Sequence, residues 1–488
     1  MQFMLNLDDN VVSVALPTVR AELGFGFAGL AWVVNGYILA FGGFLLLSGR
    51  MADIFGRRRV FPCGVALFGT ASLFCGAAQE PWQLIVGRFV QGSGAALASP
   101  AALAMLALLY PSGKERAKAI GIWGGVAALG ATLGLVISGM LTDFASWRWV
   151  FFINLPVAVA TLLILPRLVT ESRDEASGRV DMPGAVLAVT VPGLLVYGLL
   201  QASEIGWRRT GSVLPLAAAA LLAMVFVAVE LRAAEPLVPL SFLAVRPRAV
   251  ANTAILLFSA GFYAMAFLLM LHIQTVLGYS PFVAGLSYLP FGAGILVGMA
   301  VSARAVRRLG ERWALVMSLL ISATGLVLMS GIDQFDSYSA GILPALLITS
   351  LGCGMTLPAL TVVALTGTTE EDAGLGSAVL SSVQQLGGAV GLAVLVTFAE
   401  LRRDAADSVP AEQAATEGFA YALTIAAALV GLSAMLVATM LRDTERAEVG
   451  VPDSGSRGMI RGVPAQSAGD VASRLRECTS NPNEKENS

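Results

Sequence analysis

Apolar residues dominate the chain in long unbroken runs separated by short polar breaks. The runs repeatedly reach the ~20 residues that a helix rising ~1.5 Å per residue needs to cross ~30 Å of hydrocarbon. They fall at 1–19, 28–48, 60–78, 82–109, 119–141, 148–166, 182–200, 212–231, 249–271, 283–302, 314–332, 340–363, 374–398 and 418–441. Continuous runs predict helices, because barrel strands would alternate apolar and polar positions. About fourteen membrane-spanning helices are therefore expected. Only six residues precede Leu7. The cytoplasmic half of the first helix would then be about 10 Å long, so the expectation is a truncated or misassigned start, without a cleavable signal peptide.

Composition supports this reading. Of 488 residues, 56% are hydrophobic and 13% charged, and the mean hydropathy is +0.76. A soluble exterior of this size needs far more charge, so the fold class is an all-α polytopic membrane protein with the bilayer as its first partner. Arginine and lysine collect in the even-numbered loops, as at Arg50 and Arg57 to Arg59, Lys114, Arg116 and Lys118, and Arg304 to Arg312. The odd-numbered loops hold only Arg20, Arg148, Arg208, Arg209, Arg402 and Arg403. By the positive-inside rule both termini face the cytoplasm, and an even number of spans requires the two to share a side. The loop after the twelfth span breaks the pattern, being acidic at Glu370, Glu371 and Asp372. The tail 442–488 is polar and aperiodic and reads as disordered cytoplasmic chain.

The four cysteines show no metal spacing. No metal, cofactor, nucleic-acid partner or enzyme activity is expected: the chain has no phosphate-binding G-x-x-x-x-G-K-[ST] loop and no clustered nucleophile and base.

The fourth run, L-I-V-G-R-F-V-Q-G-S-G-A-A from Leu84 to Ala96, contains a permanently charged residue, Arg88. At membrane depth a guanidinium costs at least ~2.5 kcal/mol unless it finds water or a partner. Arg88 is either a functional residue or a packing residue satisfied by backbone carbonyls. An internal repeat is also visible. Gly92 to Leu103 resembles Gly352 to Leu360, and Ala303 to Arg312 echoes Gly49 to Arg59, with Ile348 in the place of Arg88. The repeat predicts an N-terminal six-helix bundle over 1–166, two inserted central helices with flanking loops over 167–248, and a C-terminal six-helix bundle over 249–441.

Several motifs carry a specific resemblance. G-R-M-A-D-I-F-G-R-R-R, Gly49 to Arg59, is similar to the signature loop of the major facilitator superfamily, and Leu84 to Ala96 is similar to its fourth-helix motif. L-D-D-N-V-V-S-V-A-L-P from Leu7 to Pro17, W-R-W-V-F-F-I-N-L-P from Trp147 to Pro156, Gln274 to Leu286 and Gln384 to Gly391 resemble motifs of its fourteen-helix drug/proton antiporters. The resemblance covers about residues 5–440. It implies the major facilitator fold and export of small amphipathic drugs or antibiotics in exchange for protons, by alternating access, from a monomer in a bacterial plasma membrane. The energy source is then the proton gradient.

Carried over by position, the resemblance implies proton coupling at Asp8 and Arg88 and gating at Gly49, Asp53, Gly56, Arg57 and Arg58. The fifth-helix glycines Gly130, Gly134 and Gly139 join the gate, although Leu135 and Ser138 stand where the motif has Pro and Gly, and Asn10 stands where the first-helix motif has Thr. Asp8 is preferred to Asp9 on motif position. Counting from helix ends, Asp8 lies ~15 Å deep and Arg88 ~10 Å, within reach of a long side chain.

The acids Glu370, Glu371 and Asp372 are expected either to latch onto Arg57 to Arg59 or simply to cap the thirteenth span, and Asp53 to face that span's N-terminus. Substrate-cavity candidates are Gln91, Trp123, Phe258, Phe262, Tyr263 and Met265, and His272 is expected at the interface. With no acid beyond Asp8 and Asp9 well inside a span, a neutral, anionic or singly charged substrate fits better than a dication. Import on the same fold, and a transport-inactive sensor or scaffold, remain as alternatives.

Overall fold

The computed structural model describes residues 2–110, 113–168, 181–233, 236–238, 240–333, 337–366, 370–405 and 409–441; at 9, 10, 107–109, 113, 114, 116, 117, 120, 121, 128, 166–168, 240 and 370–373 it describes the backbone alone. The expectation for the tail 442–488 lies outside these residues. The first half comprises α1 (Gln2–Leu23), α2 (Phe27–Phe55), α3 (Arg57–Gly76), α4 (Pro81–Leu109), α5 (Gly113–Phe144), the short α6 (Trp149–Phe152) and α7 (Asn154–Leu168). Next come α8 (Met182–Ile205), α9 (Thr210–Arg232) and the short α10 (Leu240–Ala244). The remainder comprises α11 (Arg246–Thr275), α12 (Pro281–Ser287), α13 (Leu289–Met329), a π-turn at Tyr338–Ile342, α14 (Leu343–Ala364), α15 (Glu370–Asp404) and α16 (Ala411–Met440). The described residues contain no strand.

Among the described residues, 11 helices are long and apolar enough to cross a membrane. Three features bring this into line with about fourteen passes. Pro281–Met329 counts once although its backbone breaks at Gly310, where φ is 81°. The sixth pass is the shorter apolar stretch Trp149–Leu165. The remaining pass is α1, whose hydropathy Asp8 and Asp9 lower.

The two basic turns of the internal repeat share a backbone device. Gly56, between α2 and α3, has φ 91°, and Gly310 has φ 81°. Both lie in the region that only glycine enters without strain. Gly49 lies within α2, which continues to Phe55, and a Cβ there would meet nothing within 4 Å. The turn needs glycine at Gly56, and Gly49 is a helical residue beside open space.

Packing is mostly between near neighbours. α1 lies along α5, while α4 is flanked by α2 and α3, and α7 packs on α3. In the second half α13 packs on α14 and α16, and α11 on α15 and α16. The α8–α9 hairpin places α8 against both α2 and α15. The halves meet where α2 packs on α15 and α5 on α12. Lipid-embedded helices gain little hydrophobic drive from one another, so close backbone approach carries the packing. A Cβ at Gly92 would lie 2.3 Å from the Tyr37 carbonyl oxygen, and one at Gly94 2.5 Å from the Phe68 amide nitrogen.

At the end of the bundle that carries Glu22, polar contacts join the helices. The Phe282 amide opening α12 donates to Asp143 Oδ2 on α5 at 3.0 Å, and Gln274 Nε2 on α11 donates to the Val14 carbonyl on α1 at 2.9 Å. Trp147 Nε1 donates to Glu22 Oε2 at 2.6 Å, and Arg148 forms an ion pair with the same carboxylate.

Gly92→Val is expected to abolish a monodisperse size-exclusion peak in detergent, because the new side chain enters the α2 backbone. Gly124→Ala, where a Cβ meets nothing within 4 Å, is expected to elute as the parent does, with stability equal or raised by up to ~1 kcal/mol.

Candidate functional site

The charged residue of α4 meets its counterpart in the middle of the first half. Arg88 and Asp8 are 1% and 0% exposed, and Arg88 Nη1 donates to Asp8 Oδ2 at 2.6 Å. The pair takes further contacts from α2, from α4 itself and from α7. Arg88 Nε donates to the Val33 carbonyl of α2 at 3.1 Å, Nη1 also donates to Gln91 Oε1 at 2.8 Å, and the guanidinium lies 4.3 Å from the Tyr37 ring centroid.

Asp8 Oδ1 accepts from Gln91 Nε2 and from Asn154 Nδ2 of α7, each at 2.8 Å. Ser72 Oγ of α3 closes the ring, accepting from Gln91 Nε2 at 2.6 Å and from Asn154 Nδ2 at 3.3 Å. Five helices thus converge on one ion pair. A carboxylate holding three donors is arranged as an anion.

The sequence signals are unequal. Asp8 and Arg88 stand out as charges in apolar runs, and the structure brings them together. Gln91, expected to line the cavity, is buried inside the ion-pair network. Asn154 lies within the quoted Trp147 to Pro156 run, so a signal for it existed. Ser72 and Tyr37 carry none, being ordinary residues of apolar helices. Asn35, fully buried on α2, has neither amide atom hydrogen-bonded among the described residues. A buried unsatisfied amide of this kind calls for a physical reason. The side chains of Asp9 and Asn10 lie outside the described residues.

The fifth-helix glycines divide between two partners. A Cβ at Gly130 would meet the Phe3 carbonyl oxygen at 2.8 Å and one at Gly134 the Leu7 Cα at 3.2 Å, so both seat α5 on α1. A Cβ at Gly139 would meet the Pro281 carbonyl oxygen at 2.4 Å, so this glycine seats α5 on the other half of the molecule. Ser138 hydrogen-bonds the Val11 carbonyl, and α5 runs unbroken past Leu135. Asp53 pairs with Arg57 one turn on, at 3.1 Å. The side chains of Glu370, Glu371 and Asp372 lie outside the described residues, as does their expected contact with Arg57 to Arg59; their backbone opens α15.

Of the cavity candidates, Phe258 and Phe262 stack with centroids 5.9 Å apart, and Phe262 meets Tyr263 edge-on at 5.7 Å and Phe291 at 6.0 Å. The Tyr263 hydroxyl donates to Gln385 Oε1 on α15. Met265 is fully buried in the core and Trp123 half-buried on α5. His272, expected at the interface, is 1% exposed and lies edge-on to Phe419 at 6.0 Å. Two acids near helix ends are also buried: Glu230 is 3% exposed and accepts from the Val238 amide at 3.1 Å, and Glu400 is 9% exposed.

Comparison with known proteins places this geometry in context. The chain is 38% identical over 433 residues to the puromycin resistance protein pur8 of Streptomyces alboniger, covering 88% of this chain and 86% of that protein. It is 39% identical over 423 residues to the cephamycin export protein CmcT of Amycolatopsis lactamdurans, covering 86% of each. Among solved structures, the nucleoside transporter NupG superposes with a TM-score of 0.64 at 10% identity, over 90% of this chain and 98% of that one, which is a likeness of fold. The profile of the Major Facilitator Superfamily matches residues 1–392, and with relatives of this identity and coverage the chain belongs to that superfamily.

Proposed function

We propose that the protein exports amphipathic, antibiotic-like molecules from the cell in exchange for protons, and that Asp8 is the proton-carrying group. The buried Asp8–Arg88 ion pair carries this reading. The printed names of the relatives, a puromycin resistance protein and a cephamycin export protein, support the direction and the class of cargo. The plasma membrane, cytoplasmic termini and a monomer complete the proposal.

The mechanism follows from what a proton does to the network. Protonation of Asp8 removes the anion that Arg88 faces and leaves Asp8 with fewer acceptor sites for its three donors. The guanidinium keeps the Val33 carbonyl, Gln91 Oε1 and the Tyr37 ring, so it is released from α1 without losing all its partners. Because α1 is seated on α5 through Gly130 and Gly134, and α5 touches the other half through Gly139, a shift of α1 reaches the interface between halves. Alternating access is then biased by one protonation event. Each charge crossing ~100 mV supplies ~2.3 kcal/mol to drive the cycle. The ring cluster around Phe262 is the proposed apolar wall for cargo, and the Asn35 amide is a polar contact on α2.

Asp8→Asn is expected to abolish drug-dependent proton movement while the protein still inserts and elutes normally; unchanged extrusion by that variant would sink the assignment. Inverted vesicles carrying the wild-type protein and a lumenal pH dye are expected to release lumenal protons on addition of puromycin or a related antibiotic. Proton uptake coupled to import would support a symporter instead, and silence across a broad panel would support an inactive protein.

Asn154→Ala deletes one of three donors to a buried carboxylate, and a loss of ~1–3 kcal/mol in denaturant unfolding is expected. Arg88→Lys is expected to lose coupling although the charge is kept, because an ammonium cannot reproduce the fork to Val33, Gln91 and Asp8.

A further inference from the structure

A cleft of about 520 Å³ opens at the Glu22 end of the bundle, between the last turn of α1, the start of α2, and the adjoining ends of α11, α15 and α16. Drug-sized sites fall in the range of ~300–1,000 Å³. The site is separate from the Asp8 network, and both halves of the molecule line it.

Its chemistry is specific. Phe27 of α2 and Phe419 of α16 stack with centroids 6.3 Å apart and form an apolar wall. Arg403 and Arg20 lie 5.6 and 5.9 Å from the Phe27 centroid. Glu400, 9% exposed, pairs through Oε2 with Arg403 Nη2 at 2.6 Å. Among the described residues its Oε1 takes no hydrogen bond. The lining sets Arg20 and Arg403 against Glu400, Asp404 and Glu412, which leaves one negative charge. Glu204 of α8 adds to the negative field at Glu400.

We propose that this cleft is a second binding site, for an amphipathic molecule with a single protonated amine. The amine sits at Glu400 Oε1, and the apolar body lies along Phe27 and Phe419. Recessed from water, a cation at Oε1 gains more from the carboxylate than it would in bulk solvent. An anion of the same shape meets a surplus of negative charge, and its natural partner Arg403 is already held by Glu400. The occupant touches Phe27 from one half and Glu400 and Phe419 from the other, so binding holds the two halves together at this end. The proposal stands on the cleft alone, whether or not the protein exports drugs.

The test is titration calorimetry on the purified full-length chain in nanodiscs, with empty nanodiscs as the blank. The ligands are 4-phenylbutylamine, 4-phenylbutanol and 4-phenylbutanoate at pH 7. The amine is expected to bind at least tenfold more tightly than the alcohol, with the carboxylate weakest. Glu400→Gln is expected to erase the preference for the amine, and Asp8→Asn to retain it. Equal binding of amine and alcohol by the wild type would overturn the proposal, as would an amine preference that survives Glu400→Gln or disappears in Asp8→Asn. The wild-type series and Asp8→Asn decide the matter even if Glu400→Gln does not fold.

Discussion

A carboxylate and a guanidinium sealed away from water on separate helices constrain everything around them. Removing either partner from such a pair typically costs ~3–5 kcal/mol, because the other charge is left uncompensated. The pair is tolerable only while α1 and α4 stay within one hydrogen bond of each other, and while neighbours satisfy the lone pairs and N–H groups left over. Val33, Tyr37, Gln91 and Asn154 do so, and Ser72 holds the last two by accepting from both amides. The arrangement of the first half is in this sense the solution to an electrostatic problem posed at two positions.

That solution requires backbones to come close where the charges are. Gly36 faces the α4 backbone at Ile85, with the Arg88 Cβ close by, and Gly92 faces Tyr37 a turn further on. A larger residue at either place would push α2 away and lengthen the Arg88–Val33 hydrogen bond. The same small-residue logic continues to the junction of the halves, where Gly139 meets Pro281, Gly285 meets Leu135 and Gly292 meets Thr132. Glycine brings the helices close across these seams, with the Phe144 and Phe282 rings in contact beside them.

Some of this was legible before any coordinates. Hydropathy alone placed the spans, because a bilayer leaves a chain few choices, and isolated charges inside those spans identified Asp8 and Arg88. Their role rests on a resemblance that the superfamily assignment supports at the level of fold and family. The partners were hidden for a physical reason. Ser72 and Tyr37 matter through their direction on a helix and the depth at which they lie, and neither is written in residue type. Gln91 was visible but assigned to the cavity, since a polar residue one turn from an arginine can face cargo or partner with equal ease. Glu230 and Glu400 sit near helix ends, and only their neighbours bury them.

The two halves carry the internal repeat but divide its chemistry. At the place of Arg88 the second half has Ile348, which lines a shallow apolar groove beside Trp313 and Leu320. The corresponding interior is knitted by small neutral groups. Thr356 donates to Ser318 at 2.9 Å, Ser302 donates to the Met355 carbonyl at 3.0 Å, and Gly325 and Gly352 admit Thr349 and Ser322. The buried charges of the second half, Glu400 and Arg248, lie near the ends of its helices instead. On the proposed mechanism, protonation of Asp8 would act on the first half, where the mid-helix ion pair lies.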